Sequence, residues 1–369
     1  MLKVAIIGCG KIADSHAAQI QRIPGCEIVG VCDKEELMAI QLYERFPIKR
    51  YFTEIDKLLE ETQPDVVHIT TPPQNHLEIG SQCLEKGCHI FVEKPITLNT
   101  TEAEKLIELA NNSGLKLTVG HDAQFSDVAI RMRKLVRDGY LGDSLVHLES
   151  SWCYDLSDIT YAKALLGDKK HWARMLPGGL LHNIINHGIS KIAEFLTDES
   201  PHIIAHGFVS PFLRKLGEEE LIDELRVIIH EEQGTTAYFT FSSQMRPSLH
   251  QFHIYGSKNG LIIDEDKRTL IKLPGGNFKS FAEHFIPPVL NADQYLANFL
   301  HNARLFLAMD FHMDSGKKNL FKAFYRSITD DTPLPIPYRE ILLTSRIMDT
   351  IFEQIEVKHR NSQKTLFEV

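Results

Sequence analysis

The apolar, β-branched run Lys3-Val-Ala-Ile-Ile7 stops abruptly at Gly8-Cys9-Gly10-Lys11-Ile12-Ala13, and this junction limits what the rest of the chain can be. A short run of that kind suits a buried strand of a parallel sheet. Gly8 permits the tight turn, Gly10 removes a Cβ where a pyrophosphate would approach, and Ala13 lets the next helix sit close to the strand. Ile12, Ala17, Ile20 and Ile23 give that helix an apolar face. Its free N–H groups, together with Lys11 and Ile12 at its start, would then meet two phosphates. A second strand, Glu27 to Cys32, ends on Asp33, where an acid can hold a ribose diol. The pattern predicts dinucleotide binding.

A chain of 369 residues exceeds one ordinary domain, so two are expected. The net charge of -9 argues against nucleic acid, which calls for a basic stripe. No apolar leader with a small-residue cleavage site opens the chain, and no run approaches the roughly 18 apolar residues of a membrane span. A soluble, cytoplasmic protein is expected. Six cysteines without a C-x-x-C pair indicate neither a disulfide framework nor a zinc site.

Beyond Asp33, helices (Glu35 to Phe46, Phe52 to Glu61, Leu77 to Lys86, Thr101 to Asn112) alternate with strands (Val66 to Ile69, His89 to Val92, Lys116 to Val119). That order predicts a doubly wound parallel sheet over residues 1–122. Ligands of such sheets lie off the carboxyl ends of the strands. Asp33, Thr70 to His76, Glu93-Lys94-Pro95 and Gly120-His121 all fall at such ends. From residue 123 the texture changes. Helix Val128 to Val136 and strand Ser144 to Tyr154 lead to a polar insertion, 155–176, and an apolar helix follows Pro177-Gly178-Gly179. The runs His202 to Val209, Leu225 to His230, Thr235 to Phe241, Phe252 to Tyr255 and Leu261 to Ile263 then predict one large, mostly antiparallel sheet, open on one face. Helices Ala292 to Phe311 and Arg339 to Ile355 close a second α/β domain, 123–358, with a polar tail at 359–369.

Taken together, the glycine turn, Asp33, Thr71-Pro72-Pro73 through His76, Glu93-Lys94-Pro95, Gly178-Gly179 with Asn183 and His187, and the turn Tyr255 to Gly260 resemble the Gfo/Idh/MocA oxidoreductases in kind and order. The resemblance implies an N-terminal Rossmann domain, a C-terminal α/β domain with an open sheet, and hydride transfer between a nicotinamide and a hydroxyl carbon of a sugar or related polyol. It differs from many members in having Asn183 where they carry aspartate, and Gln124-Phe125 where they carry Arg-Phe. Asparagine at the first position is similar to members that act on nucleotide sugars.

Removing hydride from a secondary alcohol calls for a proton acceptor and a donor to the developing oxyanion. Lys94, fixed by Pro95, suits the donor, although a surface ion pair with Glu93 is also open to it. His187 and Asn183, four residues apart, share one helix face. His187 titrates in the right range to accept the proton, and Asn183 can bond a substrate hydroxyl without charge. A core histidine would also satisfy the pattern. The cofactor set is Gly8, Gly10, Lys11, Ile12, Asp33, Thr71, Pro72, His76, Glu93 and Lys94, with His76 and Asn75 also open to a helix-capping role. Asp33 favours NAD over NADP by charge. A metal reading from His121, His182 and His187 lacks the usual ligand spacing, and no metal is expected. Lys163, Lys169, Lys170, His171, Trp172 and Arg174 form either a cationic, aromatic lid or a solvated loop.

These residues predict an NAD-dependent sugar or nucleotide-sugar dehydrogenase, assembled as a homodimer or homotetramer through the C-terminal sheet. They also fit a redox-neutral, NAD-retaining sugar hydrolase or epimerase, or a non-catalytic NAD(H)-binding sensor.

Overall fold

The computed structural model describes residues 1–155, 168–232, 234–276, 278–279, 281–308, 311 and 315–367, with side chains to 356 apart from that of residue 155. The chain divides into two compact units: Met1–Asp122 with Gly316–Arg346, and Ala123–Ser315 with Ile347–Val369.

In the first unit, β1 (Leu2–Ile7), β2 (Cys26–Cys32), β3 (Tyr51–Phe52), β4 (Val66–Ile69), β5 (His89–Val92) and β6 (Leu117–Val119) pair in parallel, in the order β3-β2-β1-β4-β5-β6. Between them run α1 (Lys11–Ile20), α2 (Glu36–Arg45), α3 (Ile55–Thr62), α4 (His76–Glu85) and α5 (Thr100–Asn112). Val4, Ala5, Ile6, Val66, Val67 and Ile90 are fully buried, as expected of strands covered on both faces. The strand order reverses between β1 and β4, which opens a crevice at their carboxyl ends. The doubly wound sheet read from the sequence is therefore present.

A late segment returns to this unit. In α11 (Ser315–Thr329), Leu320, Phe321 and Phe324 are fully buried, and the Phe321 ring meets Phe91 edge-on at 4.7 Å. This departs from the single boundary at residue 122, because the apolar face of α11 fills the space beside β5. The expected tail also differs, since α12 (Tyr338–Phe367) continues through it. Lys358, Arg360, Gln363 and Lys364 are straight-chain residues that favour helix.

The second unit contains a sheet in the order β13-β12-β11-β7-β10-β9-β8. Its strands are β7 (Leu145–Asp155), β8 (His202–Phe208), β9 (Glu224–His230), β10 (Thr236–Ser242), β11 (Gln244–Gly256), β12 (Asn259–Asp264) and β13 (Thr269–Pro274). Among the described residues only β7 and β10 of this sheet pair in parallel. β11 starts earlier than its apolar run suggests because its register shifts between Gln244 and Leu249, where Pro247 cannot donate to a ladder. Its helices are α6 (Asp127–Arg137), α7 (Gly179–Ile184), α8 (Asn186–Ala193), α9 (Pro211–Lys215) and α10 (Ala282–Leu307). α8 lies on the sheet, with Ser150 Oγ donating to the Gly188 carbonyl at 3.1 Å. The predicted helix after Gly179 is two helices joined at Ile185. There the Asn186 amide donates to the His182 carbonyl at 2.7 Å, in competition with the backbone ladder.

Side-chain amides meet both outer strands of this sheet. Gln294 accepts from Lys272 N–H at 2.7 Å and donates to Lys272 O at 3.1 Å. Asn298, one turn on, accepts from Leu270 N–H at 3.0 Å and donates to Leu270 O at 2.9 Å. On β8, Gln354 accepts from Ala205 N–H and donates to Ile203 O, both at 2.8 Å.

Candidate active site

In the first unit the glycine turn adopts the geometry its sequence requires. Gly8 has φ +96°, and a Cβ there would lie 2.7 Å from Thr71 N. Only glycine lets β1 and β4 end so close together. A Cβ on Gly10 would meet nothing within 4 Å, so Gly10 faces the open crevice at the start of α1. A cavity of about 460 Å³ lies there, lined by Gly8, Gly10, Asp33, Thr71 and Pro72 among others. Asp33 accepts from Cys9 N–H at 2.7 Å through one oxygen and from Glu35 N–H at 2.9 Å through the other. Its carboxylate is thus fixed beside the glycine turn. The turn, the bare helix start and the acid at the end of β2 together fit a dinucleotide. Ile12 is exposed and lies, with Lys11, at the first turn of α1, outside the residues that line the cavity.

His76 does something different from capping. It is fully buried, with Nε2 2.8 Å from Thr71 O and Nδ1 3.0 Å from Pro95 O, and it ties two crevice loops together. Burial pushes its pKa down against those carbonyls. Asn75 occupies the cap position of α4 without a side-chain capping bond.

Glu93 is buried and forms the centre of a polar network the sequence reading missed. Its Oε1 lies 2.7 Å from His16 Nε2 and 3.8 Å from Lys317 Nζ, and its Oε2 accepts from Lys94 N–H at 3.1 Å. His16 Nδ1 continues to His68 Nδ1 at 2.9 Å, and His68 Nε2 to the Tyr325 hydroxyl at 2.8 Å. Each donor meets one acceptor when the O–H and N–H groups point in sequence from Tyr325 to Glu93. Burial would raise the Glu93 pKa, but Lys317 and His16 outweigh it and hold the carboxyl well below its usual range. Half-buried Lys94 has its pKa pushed down by burial, opposed by Glu93 and Asp122 and reinforced by Lys317. Lys317 Nζ is also 3.9 Å from Asp122 Oδ2. His68 was discoverable, since a histidine inside Val66-Val67-His68-Ile69 must find a partner in the core. No local signal marks Lys317.

In the second unit, Asn183 on α7 and His187 on α8 are half-buried, while His182 and Asn186 are buried. His187 stacks on Trp152 of β7 with ring centres 4.9 Å apart. The indole also meets His250 edge-on at 4.5 Å, and Lys191 Nζ lies 5.3 Å from its centre. Lys191 pairs with Glu265, and His250 Nδ1 is 2.7 Å from Asp266. Spacing alone did not reveal this cluster, because β7, β11 and α8 bring it together. Gln124 is buried and donates to Ser190 O at 3.3 Å and to Glu194 at 3.1 Å, so it secures α8. Of the insertion, Lys163 lies outside the described residues. Arg174 pairs with Glu218 at 2.5 Å, and Trp172 opens a short 3-10 turn. Among the described residues no group of three His, Cys, Asp or Glu side chains is placed to hold a metal, and no helix is long and apolar enough to cross a membrane.

A parallel sheet with this glycine turn and acid is the architecture of a dinucleotide-binding domain. Residues 2–121 match the Gfo/Idh/MocA "Oxidoreductase family, NAD-binding Rossmann fold", and residues 129–262 match the C-terminal domain of the same family. The chain belongs to the Gfo/Idh/MocA family, and its first unit is an NAD-binding Rossmann domain. It is 25% identical over 195 residues to oxidoreductase P35 of Formosa agariphila, across 52% of this chain and 59% of that one, less than two thirds of the relative's length. It is 20% identical over 273 residues to myo-inositol 2-dehydrogenase of Thermotoga maritima, across 74% and 78% of the two chains. In fold it is similar to the WlbA dehydrogenase of Bordetella pertussis, crystallised with NADH and UDP-GlcNAcA, with a TM-score of 0.75, 14% identity and coverage of 97% and 96%.

Proposed function

We propose that this chain transfers a hydride between NAD and a hydroxyl carbon of a sugar or nucleotide-sugar. The observation that carries the reading is Lys94: a half-buried lysine at the end of β5, its pKa lowered by burial, beside a carboxylate kept ionised by Lys317 and His16. A surface lysine paired only to its neighbour would have no such surroundings. The relation to inositol dehydrogenase supports a polyol substrate, and the likeness to WlbA supports the fold on which nucleotide-sugar members are built.

In this reading Gly8, Gly10, Asp33, Thr71 and Pro72 hold the dinucleotide, with Lys11, Ile12, His76 and Glu93 around them. NAD, when bound, supplies the hydride-accepting nicotinamide. Lys94 donates a hydrogen bond to the carbinol oxygen and steadies its developing charge. His187 accepts the hydroxyl proton, and its stacking on Trp152 fixes the imidazole plane. Asn183 bonds a neighbouring hydroxyl. Copies of the chain meet through the open face of the second sheet, where Ile204, Ile228 and Tyr238 form an exposed cross-strand row.

The test is an absorbance assay of NAD reduction against inositol, free sugars, sugar phosphates and UDP-sugars. Reduction with one class, abolished in Lys94→Ala, is expected. Substrate conversion with retained NAD and no net reduction would replace this reading with a redox-neutral reaction, and thermal stabilisation without turnover would replace it with a sensor.

A further inference from the structure

α10 is inverted relative to an ordinary surface helix. Its inward face is polar: Gln294 and Asn298 bond β13, Arg131 donates to Asn298 at 3.1 Å, and His301 Nε2 lies 2.8 Å from Asp127. Among the described residues of α10 only Asn298 is buried. Its outward face is apolar, with Phe285, Val289, Leu296, Phe299 and Phe306 exposed by 70, 68, 57, 65 and 67%. A helix normally gains its stability by burying the apolar stripe, not the polar one.

The spacing identifies the occupant. Phe285, Val289, Ala292, Leu296, Phe299, Ala303 and Phe306 follow alternating steps of four and three, the heptad rhythm by which one helix packs on another. The sizes along the stripe are self-complementary. An antiparallel copy crossing at Leu296 sets Ala292 against the partner's Leu300 and Val289 against the partner's Ala303. The area suffices too. Phe281, Phe285, Tyr295, Phe299 and Phe306 are each more than half exposed. At about 150–250 Å² per aromatic side chain they leave roughly 500–800 Å² open. Lone soluble chains carry patches up to about 300–600 Å², and a standard interface needs about 800 Å² per partner, which Val289, Leu296, Leu300 and Leu307 complete.

We propose that α10 pairs antiparallel with α10 of a second copy of this chain, forming an isologous interface separate from the open sheet face. The two surfaces, each twofold, close a tetramer when both are used. Polar inward contacts hold α10 in register on β13, so the stripe is presented whether or not the partner is bound.

The test is the solution mass of the full chain by light scattering. Leu296→Glu with Phe299→Glu changes exposed positions and should lower the mass twofold with an unchanged circular dichroism spectrum. Leu296→Cys, on the proposed twofold axis, should form a disulfide-linked pair on mild oxidation, whereas the wild type, with five of its six free cysteines buried, should not. A wild type that runs at 42.0 kDa at every concentration overturns the proposal. So does an assembly whose mass the double Glu variant leaves unchanged and Leu296→Cys fails to cross-link, which leaves the sheet face as the interface. A monomer that sediments with phosphatidylglycerol vesicles overturns it in favour of a membrane surface.

Discussion

The Lys317 ammonium stands 3.8 Å from Glu93 Oε1, so a cation from the late segment of the chain holds the carboxylate next to Lys94 in the first unit. The sequence places these two residues far apart, and α11 brings them together. Lys317 therefore acts on Lys94 twice, by fixing Glu93 and by adding a like charge.

Lys94→Ala should abolish turnover while NAD affinity, measured by calorimetry, stays within a few-fold. The lysine serves the carbinol oxygen rather than the pyrophosphate. Activity above about a tenth of wild type, a loss under roughly 1.4 kcal/mol, would remove it from the catalytic set.

Lys317→Met should move the limb of the pH–rate profile governed by Lys94 to higher pH. Burial and Lys317 both lower the Lys94 pKa while Glu93 and Asp122 raise it, so deleting the second cation lifts it. Lys317→Arg keeps the charge and should keep the limb. Lys317→Met should also be less tolerant of acid. Glu93 is held below its ordinary range, so its contribution to stability is present above the unfolded carboxylate pKa of about 4.3 and fades as pH falls through the folded value, which Lys317→Met raises. A pH profile that keeps its position in Lys317→Met would show that Lys317 only packs.

His187→Ala should lose on the order of 10² to 10⁴ in kcat, the range of a general base. Asn183→Ala should lose much less, since a neutral hydrogen bond is worth about 0.5 to 1.5 kcal/mol. The reverse order of severity would show that the proton goes elsewhere.

Asp33 should make NAD the preferred cofactor by at least about tenfold. A 2′-phosphate within about 4 Å of its carboxylate costs roughly 4 kcal/mol per charge pair at an effective dielectric near 20. Lys34 is exposed beside it and recovers part of that cost. Asp33→Ala should narrow or reverse the preference, and equal wild-type dissociation constants for NAD and NADP at one ionic strength would refute the assignment. Because Asp33 also accepts from Cys9 N–H, Asp33→Asn is the milder control for the turn.

What could be read from the sequence was local. Gly8, Gly10 and Asp33 lie within one strand-turn-helix-strand unit, and their geometry follows from φ freedom, helix ends and strand ends. Asn183 and His187 were paired by helical spacing alone, and the structure instead places them on two helices, α7 and α8, joined at Ile185. The rest depended on contacts between distant segments. His16, His68, Glu93, Lys317 and Tyr325 come from α1, β4, the end of β5, and α11, and no window of residues contains their pairing. α10 shows another limit: it runs Ala282–Leu307 where the sequence placed a helix from Ala292 to Phe311. Its apolar periodicity was plain, but periodicity does not say whether the stripe faces its own sheet, and here polar amides occupy that side.

Those amides have a further consequence. An outer strand ordinarily offers a row of N–H and C=O groups on which another strand can add, the usual route to runaway association. Gln294 and Asn298 occupy that row on β13, and Gln354 occupies it on β8. A strand added on either side would have to displace these bonds. Strand addition is disfavoured where those amides sit, and trimming the chain before α10 would remove all three of them.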